Sequence, residues 1–274
     1  MKKFLILTNS EKDPNMELTN RISDCLKQRG CECFIQTAVH KGRFEISEDI
    51  PSDCDSAIVL GGDGTMIQAA DVIKGRKPII GVNLGTLGFL QEVEASDIEE
   101  MVDRLTSDDF QIEKRMMLSG CKYDESKSET HIALNDIVIT RKGSLKILYL
   151  NIYVNGQKLS NYKADGIVIS TPTGSTAYNL SAGGPIVEPS AEAILITPIC
   201  PHNLGARSIV LSPNDTIRVE VLSGRGEAEA SFDGGAEIEL SDGASIEISK
   251  AGIYTEIIKL GKESFVEVIS RKMN

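Results

Sequence analysis

The sequence predicts an α/β domain built on a parallel sheet, followed by an all-β domain of sandwich type and a terminal helix that packs back on the body. Three observations carry this. Over residues 1–105, short β-rich runs alternate with helical periodicity. Beyond about residue 110 the helical segments stop, and β runs follow one another between turn signals such as Asn155-Gly156, Asp233-Gly234-Gly235 and Asp242-Gly243. Two glycine-rich turns each follow an apolar run in the first part, at 61–64 and 85–88.

Residues 3–8 form the first predicted strand. The apolar core of this N-terminus is too short for a signal peptide, and the polar run Asn9-Ser10-Glu11-Lys12-Asp13 follows at once. Asp13-Pro14 reads as a helix start; Leu18, Ile22, Cys25 and Leu26 share one face, and Gly30 stops the helix. Strands are expected at 31–39, 56–60 and 78–82, with a helix over 66–72. Ser96-x-x-Glu99 reads as a capping box opening a helix to about Leu105. This alternation makes the first domain Rossmann-like and sets both glycine turns at strand carboxyl ends, in one crevice, where such sheets bind ligands. In the second domain, 106–274, strands are expected at 117–123, 132–140, 145–154, 166–170, 193–197, 216–222, 228–232, 238–240, 245–248 and 253–258, and the helix at 262–272.

The 274 residues suffice for two domains with a sizeable core. The net charge of −11 and pI near 4.9 argue against general affinity for DNA, RNA or anionic lipid, and imply that a polyanionic substrate arrives with a divalent cation. No stretch reaches membrane-spanning length. The six cysteines (25, 31, 33, 54, 121, 200) contain no C-x-x-C pair and mostly sit in apolar runs, which points to reduced thiols in a cytoplasm. The three histidines (40, 131, 202) lack ligand spacing to any cysteine.

Gly61-Gly62-Asp63-Gly64-Thr65 is the first stretch with chemistry in it. Glycines allow close backbone approach, and the helix start offers unpaired N–H groups to anions. The chain has no G-x-x-x-x-G-K-[ST] loop. A carboxylate in such a turn suits orientation of a hydroxyl that accepts a phosphoryl group; a helix cap is the plainer reading. Asn135-Asp136 offers an amide and a carboxylate before a strong β run, suited to a ribose diol or a base edge, or else to an Asx turn. Residues 164–185 end a strand in a turn dense in Ser, Thr and Gly, suited to phosphate or ribose oxygens. Thr197-Pro198-Ile199-Cys200-Pro201-His202 could line a pocket, although a lone His is more often structural. There is no G-x-S-x-G elbow and no H-E-x-x-H.

Together these residues resemble the NAD kinase family over nearly the whole chain. The resemblance rests on the GGDGT loop, Leu87-Gly88-Phe89-Leu90, Asn135-Asp136, Asp165-Gly166 and Thr173-Gly174-Ser175-Thr176-Ala177-Tyr178-x-x-Ser181-Ala182-Gly183-Gly184. Diacylglycerol and sphingosine kinases carry similar GGDGT loops; the later stretch is the specific one. The resemblance implies transfer of the ATP γ-phosphoryl to the 2′-hydroxyl of the adenosine ribose of NAD, with Mg²⁺ or another divalent cation, and with polyphosphate as an alternative donor. It implies Asp63 as the catalytic residue and Gly61, Gly62, Gly64 and Thr65 as the phosphate loop. NAD contacts are implied for Asp63, Gly64, Phe89, Asn135, Asp136, Lys146, Lys163, Asp165, Thr173, Thr176, Ala177, Tyr178, Asn179, Leu180, Ser181 and Cys200, with no metal ligand assigned. It further implies a homodimer or homotetramer; the acidic charge leaves no nucleic-acid or membrane partner expected. Two positions depart from the family pattern: Asp136 stands where Glu is usual, and Gly235 where many relatives carry a Gln-type side chain. The other readings are a lipid kinase sharing the loop and a non-catalytic module that senses NAD(H).

Overall fold

The computed structural model describes residues 1–37, 52–85, 88–123, 129–143, 147–203, 205–222, 227–261 and 263–273. The chain divides into two compact units, Met1–Lys114 with Tyr254–Asn274, and Arg115–Ile253.

The first unit is a parallel sheet with helices. In chain order it holds β1 (Lys3–Thr8), α1 (Glu17–Gln28), β2 (Glu32–Thr37), β3 (Ser56–Gly61), α2 (Asp63–Ile73), β4 (Ile79–Asn83), the short β5 (Val93–Glu94) and α3 (Ile98–Thr106). The strands lie in the order β4-β3-β1-β2, all parallel, with β5 beside β4. Every residue of β3 and β4 is buried, as a strand covered on both faces requires. Phe4, Ile6, Ile58, Leu60, Ile80 and Val82 pack with Ile22 and Leu26 of α1 and with Met101, Val102 and Leu105 of α3. Sheet geometry carries β3 and β4 side by side, Gly61 opposite Asn83, so the two glycine turns leave adjacent strand ends.

Two helix starts differ from expectation. The helix after Asp13-Pro14 begins at Glu17, because Met16 adopts the left-handed conformation (φ 57°). Asp13 still accepts the N–H groups of Leu18 and Thr19 and the Thr19 hydroxyl, so it caps from a distance. Ser96 forms no capping box with Glu99: a 3-10 turn over Ala95–Asp97 precedes α3, and the Ser96 hydroxyl turns to Asp97 instead.

The strand β6 (Gln111–Tyr123) leads from the first unit into the second. There follow β7 (Thr130–Ala133), β8 (Asp136–Lys142), β9 (Leu148–Val154), β10 (Gln157–Ala164), β11 (Gly166–Ser170), α4 (Tyr178–Ser181), β12 (Ile194–Ile199), β13 (Ile209–Leu211), β14 (Ile217–Val221), β15 (Glu227–Phe232), β16 (Glu237–Leu240) and β17 (Ser245–Lys259). Six strands form an antiparallel sheet in the order β13-β12-β11-β8-β15-β16. A second antiparallel set runs β10-β9-β14-β17. The end of β17 belongs to the first unit, where Ile257 pairs with Ile79, and α5 (Phe265–Met273) follows there. Three cysteines are buried and two half-buried, as most of their apolar runs suggested, and Cys200 is exposed.

Candidate active site

In the first unit the site grows from the end of β3. Gly62 is extended (φ −110°, ψ −171°) and caps α2, which opens on Asp63. A Cβ on Gly61 would lie 2.2 Å from the Thr65 hydroxyl oxygen, so the turn closes only over a glycine. A Cβ on Gly64 would meet nothing within 4 Å, which leaves an open backbone face beside Asp63.

The Asp63 carboxylate is held by the second glycine turn. Phe89 N–H donates to its Oδ2 at 2.9 Å and Leu90 N–H to its Oδ1 at 3.0 Å. A carboxylate has about four acceptor positions, so both oxygens keep capacity for a further donor such as a substrate hydroxyl. Gly88 lies against this clamp. Its N–H donates to the Gln91 side-chain oxygen, and a Cβ there would fall 2.0 Å from Asp63 Oδ1 and 2.1 Å from Gln91 Oε1. Gly88→Ala is therefore expected to push Asp63 off its two N–H donors and to lower kcat about tenfold or more, at the scale of a misplaced catalytic group. Steady-state kinetics check this; wild-type kcat with intact folding refutes it. The Phe89 ring, half-buried, carries the Lys272 ammonium 4.6 Å from its centroid.

The second unit gathers the other sequence-marked residues. Asn135 and Asp136 stand at the start of β8, and the turn after β15 folds onto them. Asp233, left-handed at φ 50°, accepts the N–H groups of Leu134, Asn135 and Asp136 at 2.6, 2.8 and 2.9 Å. Asn135 Oδ1 is buried with no hydrogen-bond partner among the described residues. A buried acceptor left open is costly, and a water or a ligand donor would satisfy it. The Asn135 carbonyl accepts Thr171 N–H and the Ser170 hydroxyl, and a Cβ on Gly174 would lie 2.1 Å from it. The Thr173–Thr176 turn thus packs directly on Asn135. Asp136 is 5 % exposed, and its pKa is pushed up to about 7, first by burial and then by the neighbouring Asp233 charge.

Other sequence-marked residues have mixed surroundings. Thr173 is buried and accepts a hydrogen bond from Arg115 at 3.4 Å; Thr176 and Ala177 are half-buried; Tyr178, Leu180 and Ser181 are exposed. Asn179 commits its side chain to the scaffold, donating to the carbonyls of Ser175 and Pro185 and accepting the Thr197 hydroxyl at 2.7 Å. Asp165 pairs with Arg141 at 3.4 Å, and Lys163 sits 5.5 Å from the Tyr149 ring centroid. Lys146 and Leu87 lie outside the described residues.

Residues 4–110 match the family model described as the ATP-NAD kinase N-terminal domain, and residues 134–260 match the ATP-NAD kinase C-terminal domain. The chain belongs to the NAD kinase family. The NAD kinase of Agathobacter rectalis is 46% identical over 282 residues, covering 100% of this chain and 99% of that one; the NAD kinase of Lachnospira eligens is 41% identical over 293 residues, covering all of both. Among solved structures, yeast NADH kinase complexed with NADH superposes with a TM-score of 0.88 at 26% identity, over 100% of this chain and 87% of that one. An NAD kinase from Archaeoglobus fulgidus in complex with ATP gives 0.79 at 25%, over 95% and 94%. The α/β first part, the antiparallel second part and the terminal helix are those of an NAD kinase fold, and they are the elements that the sequence pattern predicts.

Sequence reading of this NAD kinase family member missed three residues. Asp233 was legible only as a turn former, since its N–H donors lie nearly a hundred positions away. Arg115, buried beside Thr173, carries no local motif. Lys12 precedes the Asp13-Pro14 signal and looks like ordinary loop charge, yet its ammonium lies against Gly62. Among the described residues no group of three or more His, Cys, Asp or Glu could hold a metal ion.

Proposed function

We propose that this chain transfers the γ-phosphoryl of ATP to the 2′-hydroxyl of the adenosine ribose of NAD, with Asp63 orienting that hydroxyl. Family membership fixes the coarser statement: the chain is an NAD kinase that phosphorylates NAD to NADP with ATP as donor. The observation that best supports the finer reading is the Asp63 carboxylate, fixed by the N–H groups of Phe89 and Leu90 next to the open backbone of Gly64. Phosphoryl transfer asks mainly for positioning and charge neutralisation, and a clamped acceptor supplies the first. Mg²⁺ enters as part of the ATP substrate.

We assign the glycine turn of the first unit to the donor phosphates, and Asn135, Asp136 and the 173–181 stretch to NAD recognition. The open Asn135 Oδ1 supports an NAD contact, whereas the bonds of Asn179 support a scaffold role. Asp136→Ala is expected to raise KM for NAD more than it lowers kcat, as loss of ground-state binding does. A pure kcat effect on steady-state kinetics speaks against it. A homo-oligomeric, cytoplasmic enzyme completes the reading; no helix among the described residues is long and apolar enough to cross a membrane. The test is NADP formation from NAD, ATP and Mg²⁺, run beside NADH and polyphosphate. Failure to form NADP from NAD and ATP overturns it.

A further inference from the structure

We infer that Lys12, on the loop after β1, is the cation that grips the condensed phosphate chain of the donor at the glycine turn. This inference rests on the assignment of that turn to donor phosphates. The glycine turn itself carries no lysine, unlike the G-x-x-x-x-G-K loops that bind triphosphates by a lysine of their own. The structure supplies one from another strand end. A Cβ built on Gly62 would lie 2.8 Å from Lys12 Nζ, so the ammonium rests against the residue just before Asp63.

The loop that carries Lys12 is fastened to the same turn. Asn9 N–H donates to the Leu60 carbonyl at the end of β3, and the Asn9 amide reaches the Thr65 hydroxyl in the first turn of α2. The Lys12 N–H then bonds back to the Asn9 carbonyl. The adjacent Asp13 is occupied by Leu18 and Thr19, and those bonds hold its carboxyl below the usual range against the opposing effect of burial. Among the described residues the Lys12 ammonium makes no hydrogen bond or ion pair, in a chain of net charge −11. It lines an open hollow of about 450 Å³ with Asn83, Leu84, Gly85, Glu94 and Ser96.

Charge balance gives the lysine its task. Phosphates brought beside Asp63 and Glu94 meet two carboxylates, and a fixed ammonium at the turn offsets that repulsion. Lys12 thus does from a neighbouring loop what the lysine of a triphosphate-binding loop does from within. The ligand class is a condensed phosphate, whether the tail of ATP or inorganic polyphosphate.

The test compares Lys12→Met and Lys12→Arg with wild type by calorimetric titration with ATP, adenosine and inorganic polyphosphate, and by NADP formation. Lys12→Met is expected to raise the Kd and KM for ATP about ten- to a hundredfold, the scale of one lost charge-assisted contact. The Kd for adenosine and the KM for NAD stay within about twofold and Tm is unchanged, while Lys12→Arg recovers most of the ATP affinity. A parallel loss with polyphosphate assigns the lysine to the shared phosphate chain; a loss with ATP alone assigns it to the nucleotide's phosphates. An unchanged ATP Kd, or equal rises in KM for ATP and NAD, overturns the inference. Wild-type protein that binds ATP through Lys12 yet forms no NADP would remove the proposed function alone.

Discussion

Asp63→Asn is expected to lower kcat at least about 100-fold, the low end for a positioned acid–base group, with KM for NAD changed far less. Two consequences of the geometry combine. The amide nitrogen can no longer accept the hydroxyl proton. Whichever way the amide turns, one of the two N–H groups of Phe89 and Leu90 must also face an NH₂ donor. The substitution therefore removes an acceptor and loosens the turn that positions the remaining oxygen. Single-turnover measurement of NADP formation separates the chemical step from product release. Turnover within tenfold of wild type would falsify the role of this carboxylate.

Asp136→Asn is expected to stabilise the protein at pH 8 while leaving it nearly unchanged at pH 4. The folded-state pKa of Asp136, about 7, stands above the ordinary carboxyl value of 3.8, with burial as the main cause and Asp233 as the second. Between these values the native state binds a proton that the unfolded chain has released. Stability at this residue accordingly falls as pH rises from about 4 to about 7, and the penalty is complete above that. Its upper scale is on the order of 4 kcal/mol, from about three pKa units. Asn has nearly the same shape and never ionises. Thermal unfolding of both proteins across pH 4–8 checks this: a Tm difference that does not grow with pH refutes the buried ionisation. Asp233 is fixed in place by three backbone N–H groups, which makes it the natural seat of the negative charge while Asp136 takes the proton.

The parallel sheet was legible because β3 is a short apolar run that ends in Gly61 and β4 one that leads into the Asn83-Leu84-Gly85 turn, the pattern of strands buried on both faces. The strand β10 was not. Its sequence, QKLSNYKA, alternates with few apolar residues, and it lies at one end of its antiparallel set with β9 as neighbour. Only the turn before it, Asn155-Gly156, left a trace; both residues have positive φ, 50° and 78°, as a two-residue hairpin demands. The same limit applies to the site. Asp63 stood out because a carboxylate among three glycines is locally odd. Its two N–H donors are 26 and 27 residues away, and the glycine that makes room for it shows no local reason to be one. Local chemistry marked the functional side chains, while the groups that aim them came from the packing of distant turns.

The clamp on Asp63 joins the Phe89 ring and the carboxylate into one mechanical part. Phe89 offers its backbone to the acid and its ring to whatever lies beyond it. Displacement of Phe89 is therefore passed to the acid through the 2.9 Å bond from its own N–H and the 3.0 Å bond from that of Leu90. Changes at positions 63 and 88 accordingly act on one object, and their energetic effects will not sum.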